Sequence, residues 1–349
     1  MRRWELAAFA IALALPAVAS AWGWQGHKLI TQLAVDRLPA EIRAVYAPQM
    51  ARLLEETVQP DKKVFSDPRE GPKHFLNVEV LDPTYRAAWE KAGPDLKAKP
   101  HHTKRAHTAD STVPPTEEEG AHTPALQLAV FEGRLPVKSD EADALYARIP
   151  VTFEAYHALS EAYQKELGSV VYQPAHYYAE LVKAFRSGDP ARIVGVTGYL
   201  SHYCGDLHVP LHNTIDHEGG FSKSPRANKG MNATVHSRFE SGFLKFLGNA
   251  LPNMAANLVK APTLQPAAGI QARALREARE AYTLYPQVIS VDKAIMAKHT
   301  GKTVQWKRFY GEFEPQMAPI VAGQLARSAQ MLADLIVSAW DEAKKSPRQ

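Results

Sequence analysis

His202, Asp206 and His212 have the residue types and the spacing to hold a metal ion. His202 and Asp206 are four apart in a stretch with helical periodicity, which stacks both side chains on one face about one turn apart. Pro210 ends that helix, so His212 can fold back beside them. Downstream, His236 and Glu240 repeat the four-residue spacing, and His27, Asp61 and His74 lie upstream. Imidazoles and carboxylates in this number form a donor set for zinc. A lone histidine is more often a core or surface residue, and a single His/Glu pair is usually a solvated face. The coincidence of two such pairs carries the reading. By the same standard His208 and His217 stand behind the ligands or face solvent. His157, His176 and His299 lie in apolar helical contexts and read as structural.

The N-terminal region adds an unusual donor. Arg2 and Arg3, an apolar run from Ala7 to Leu15, and the small residues Ala19 and Ala21 read as a secretory signal peptide over residues 1–21. The apolar run is shorter than the roughly 20 residues a bilayer needs. No later stretch reads as a transmembrane segment, so a secreted or periplasmic chain starting at Trp22 is expected. Cleavage would free the α-amine of Trp22, five residues before His27. That amine and its neighbouring carbonyl can chelate a metal in a five-membered ring.

These donors need a frame. The 349 residues carry one cysteine, Cys204, so no disulfide can form within the chain. Stabilisation then falls to a large core or to bound metal, and Cys204 reads as a buried filler. The formal charge is +4 and falls to +3 without Arg2, Arg3 and Glu5, which suits an anionic substrate without identifying one. Helical periodicity dominates. Helices are expected over 27–38, 41–54, 142–167, 170–185, 191–206, 234–247, 271–285 and 317–344. The best strand candidate is 75–81, where Asn77 and Glu79 alternate with apolar residues. Residues 91–115, with His101, His102 and His107, read as a solvated insertion. Residues 211–231 read as a loop bordering the site. The expected architecture is all-α, a single multi-helix domain over 22–349.

The N-terminal Trp22 with His27, the pattern His202-x3-Asp206-x5-His212, and His236-x3-Glu240 together resemble one superfamily. It joins the zinc-dependent phospholipases C to the type I single-strand-specific nucleases, and the resemblance covers most of residues 22–349. It implies a helical fold with three zinc ions in a cleft. Asp61, His74, His202 and Asp206 would take the first ion. His212, His236 and Glu240 would take the second. The Trp22 amine and carbonyl, His27 and a bridging Asp206 would take the third. Asp67 is the alternative to Asp61. The resemblance also implies hydrolysis of a phosphate ester by zinc-activated water, with Asp61 as the catalytic residue that orients or deprotonates it.

The resemblance implies a phospholipid or a single-stranded nucleic acid as substrate, and the chain is expected to be a monomer. Glu240, in the run from His236 to Glu240, resembles the phospholipase segment. Gln25 and Lys62 replace the acidic and aromatic residues that would hold choline, so a phospholipid other than phosphatidylcholine is expected. Phe75, beside His74, is placed to stack a base, and Asn77 to bond a base edge, as substrate-binding residues of a nuclease. A zinc-binding protein without catalysis is the third reading.

Overall fold

The computed structural model describes residues 22–91, 130–131, 134–135, 137–227, 232–299 and 303–345. The signal-like segment 1–21 and the histidines His101, His102 and His107 lie outside the described residues. Helices dominate, and among the described residues there is no strand, only one isolated antiparallel bridge between Leu76 and Gly168. The all-α expectation holds.

The helix Pro190–Leu207 organises the rest. Asp189 caps it by accepting the Ala191 N–H (2.9 Å), and Pro190 starts its first turn. Every residue from Leu200 to Leu207 is buried, as expected of a helix packed on all sides. Its neighbours are Gly23–Arg37, Met50–Glu56, Gln173–Ser187 and Trp306–Lys345. Gly198 permits one of these approaches: a Cβ there would stand 2.5 Å from the Glu56 Cβ. The buried apolar residues form one continuous cluster around this helix.

Two expectations need correction. Residues 75–81 do not form a strand. Val78–Leu81 winds into a 3-10 turn with every side chain buried, so the alternation does not mark a wet face. Glu79 is instead held inside by the Thr214 hydroxyl (2.6 Å), the Ile215 N–H (3.0 Å) and the Tyr282 hydroxyl (3.0 Å). The long helix expected over 142–167 is three short ones, Ser139–Tyr146, Phe153–His157 and Glu161–Leu167. Pro150 interrupts it, and Thr152 and Ser160 cap new starts. By length and composition alone Trp306–Lys345 could cross a membrane, with 78% of its most apolar window buried against the protein. It also buries Gln324, Ser328, Asp334 and Ser338, all hydrogen-bonded within the fold, as befits a core helix.

Candidate metal centre

Side chains from the Pro190–Leu207 helix and six other segments converge at the C-terminal end of that helix. His202 and Asp206 lie on one face of it and are fully buried. His27 comes from Gly23–Arg37, Asp61 from Gln59–Lys63, and His74 from the turn after Gly71–Lys73. His212 sits in the 3-10 turn Pro210–Asn213, and His236 in Val235–Ser237. Glu240 follows in a π-helical turn, Arg238–Gly242, a distortion common at functional sites. Thr234 and Ser237 close a reciprocal cap that fixes the start of this segment.

Three groups result, the first and third sharing His202: His74, His202 and Asp206; His212, His236 and Glu240; and His27, Asp61 and His202, with the donor atoms of each within 4.8 Å of one another. In the first, Asp206 Oδ2 lies 2.9 Å from His74 Nδ1 and 3.1 Å from His202 Nε2. Asp61 Oδ1 is 3.5 Å from His202 Nε2 and 3.8 Å from His74 Nδ1. In the second, His236 Nε2 stands 2.9 Å from Glu240 Oε1 and 3.1 Å from His212 Nε2. The groups meet at Asp206, whose Oδ1 is 3.3 Å from His27 Nε2 and 4.0 Å from His212 Nδ1.

The outer nitrogens decide which atoms are donors. His202 Nδ1 donates to the Thr57 carbonyl (2.9 Å), and His212 Nδ1 donates to the His74 carbonyl (2.7 Å). Each ring, when neutral, therefore turns an Nε2 lone pair inward. Two nitrogens bound to one tetrahedral zinc at ~2.0–2.1 Å stand about 3.3 Å apart, close to the 3.1 Å between His212 and His236. Both His27 nitrogens, Asp61 Oδ2, both Asp206 oxygens and both Glu240 oxygens are buried without an aligned hydrogen-bond partner among the described residues. Buried polar atoms of this kind require a reason, and a shared cation supplies one. Gly205 belongs to the same design, since a Cβ there would stand 2.8 Å from His27 Nδ1. The residues fit metal ions.

Asp61, not Asp67, reaches the centre. The Asp67 carboxylate is engaged by Arg69 at 2.9 and 3.0 Å. Trp22 is buried, its indole donating to the Gly205 carbonyl (2.9 Å), and its backbone N–H faces the Glu240 carboxylate. Its carbonyl accepts the Gly26 N–H (3.0 Å), which leaves a second lone pair. Phe75 is half-buried, its ring against Gly168. Asn77 is corrected: it is buried and its amide donates to the Glu166 carbonyl (2.9 Å), so it braces the frame and offers nothing to a substrate. His208 is a buried brace between the Cys204 carbonyl (2.7 Å) and Glu277 (3.1 Å). Residue spacing gave no hint of Glu218, whose Oε1 is 3.4 Å from His236 Nδ1. The nearest signal was its place in the loop expected to border the site. Gly198 and Gly205 were also missed; glycines two turns apart inside a helix, each costing about 1 kcal/mol against alanine, were the available sign.

The charges are strongly coupled. Burial lowers the His27 and His212 pKa values, His212 well below the ordinary range. Burial alone would raise Asp206, but His202 beside it holds that carboxyl well below the usual range. For His202, burial lowers the pKa, yet Asp206 and Asp61 overcome this and raise it from 6.5 to about 9. Burial raises Glu240 to about 7. In the metal-free protein at neutral pH, His202 is thus protonated and Glu240 partly so, and an incoming cation must displace those protons. Zinc affinity should rise with pH up to about 9, roughly tenfold per unit for each displaced proton, and more steeply below about 7. The His202 contribution to metal-free stability has the opposite sign: full below about 6.5, lost as pH passes about 9. Zinc titration in weak buffer at pH 7 should release more than one proton per chain, and no release would remove His202 from the donor set.

Neither the protein-family models nor the curated proteins give a match to this chain.

Proposed function

We propose that this chain is a zinc-dependent hydrolase of phosphate diesters holding three ions, and that it is phospholipase C-like. The observation that carries the metal reading is the gathering of buried His, Asp and Glu donors around Asp206, with both His27 nitrogens, both Asp206 oxygens and both Glu240 oxygens lacking an aligned hydrogen-bond partner among the described residues. Buried donors left in this state are costly unless a cation satisfies them together. The first ion would be held by Asp61, His74, His202 and Asp206, the second by His212, His236 and Glu240, and the third by Trp22, His27 and Asp206. Bound zinc supplies Lewis acidity and brings the pKa of its water towards ~7.

The chain's own residues do the rest. Asp61 has one oxygen near His202 and a second, Oδ2, buried without a partner, so it can orient a water and accept its proton. Three carboxylates, Asp61, Asp206 and Glu240, do not neutralise three dications, and the remaining positive charge draws in a phosphate. Lys62, next to Asp61, lies 5.1 Å above the Trp24 ring, and Trp24 and Phe65 are 37% and 42% exposed. Exposed aromatic rings beside lysines suit the interface of an anionic lipid surface, which favours the phospholipid. Phe75, half-buried beside His74, supports the second reading, a nuclease that stacks single-stranded bases.

Metal analysis should find about three zinc ions per chain, and chelation should lower the melting temperature because the ions bind only the folded state. A stoichiometry of zero or one would remove the trinuclear assignment. The zinc-loaded protein assayed in parallel on anionic and zwitterionic phospholipids, single-stranded DNA and RNA decides the substrate. Zinc uptake with no hydrolysis of any of them would leave a zinc-binding protein without catalysis.

A further inference from the structure

We infer that Glu218 is a positioning residue for His236, fixing the proton on Nδ1 so that Nε2 alone faces the metal centre. The inference rests on the metal reading above. His236 turns Nε2 towards His212 and Glu240, while Nδ1 stands 3.4 Å from Glu218 Oε1. The two nitrogens of an imidazole point in opposite directions, so Glu218 is no ligand of the ion held by Nε2. It receives the Nδ1 proton instead. A separation of 3.4 Å is long for a hydrogen bond, and such contacts tighten when a site is loaded.

His202 and His212 meet the same need with the backbone carbonyls of Thr57 and His74. His236 is served by a charged group, which also makes the ring a stronger donor. The loop is built to hold that group in place. Before it, Thr214 and Ile215 are tied to the buried Glu79. Around it, Asp216 accepts the N–H groups of Phe221 (2.7 Å) and Ser222 (3.0 Å) and the Tyr285 hydroxyl (2.5 Å). After it, the Thr234–Ser237 cap fixes the start of the segment that carries His236. A carboxylate on an irregular loop is thereby held between two anchored stretches of chain.

The test is zinc affinity by chelator competition for the wild type, Glu218→Gln and Glu218→Ala, with melting of the metal-free forms alongside. Glu218→Ala should weaken one ion by about 10–100-fold. Glu218→Gln should lose less, because its amide oxygen still accepts the Nδ1 proton without the charge. Metal-free melting should stay near that of the wild type for both. Unchanged zinc affinity in both variants, or an equal loss of melting temperature with and without zinc, would overturn the inference and leave the metal centre standing. A wild type that takes up no zinc would overturn both.

Discussion

Asp206→Asn should abolish most hydrolysis and remove more than one metal ion per chain, a larger loss than any single histidine substitution causes. Asp206 lies 2.9–3.3 Å from nitrogens of His27, His74 and His202, and 4.0 Å from the His212 ring that belongs to the remaining group. Asparagine keeps the shape and removes the charge. It leaves adjacent dications without the anion that screens their repulsion, and it turns an N–H towards one of them. A Lewis-acid centre supplies several kcal/mol to such a reaction, so a loss of about 10²–10⁴-fold is expected. The check is metal content and hydrolysis on the same preparation, with circular dichroism to confirm that the helices survive. Loss of a single ion with activity largely kept would end the bridging role.

The second large effect concerns the start of the chain. A protein beginning at Trp22 should hold one more zinc ion, and hydrolyse far faster, than one with a single extra residue before it. An amide nitrogen cannot serve as a neutral amine donor, whereas a free α-amine of pKa ~8 is pulled lower by a metal and coordinates at neutral pH. The local geometry agrees. Trp22 is buried with its indole anchored on Gly205, next to Asp206, and its backbone nitrogen faces Glu240. It also carries φ 46°, a left-handed conformation that costs an L-residue about 1–2 kcal/mol. Two preparations suffice, one starting at Trp22 and one with a single added methionine. Equal zinc content and equal rates would refute the chelate.

Helical content was legible wherever apolar periodicity was long. The boundaries were not. Pro150 broke one expected helix, while Pro315 and Pro319 were tolerated inside Trp306–Lys345. A proline's effect depends on what packs around the turn it interrupts. The alternation at 75–81 misled because it registers polarity alone, and Asn77 and Glu79 are polar, buried and satisfied.

The sequence offered most of the candidate donors, because ligand chemistry restricts residue types and a helix places residues four apart on one face. His202 with Asp206 and His236 with Glu240 could be paired from spacing alone. Choosing Asp61 over Asp67 needed the fold, since both precede His74 and only the packing of Gln59–Lys63 against the central helix carries one of them inward. The outer partners were hidden for a deeper reason. Thr57 and His74 act through backbone carbonyls that every residue possesses, and Glu218 acts from a loop without periodicity. Residue identity specifies what can bind a cation; only the tertiary structure decides which nitrogen is left free to do it.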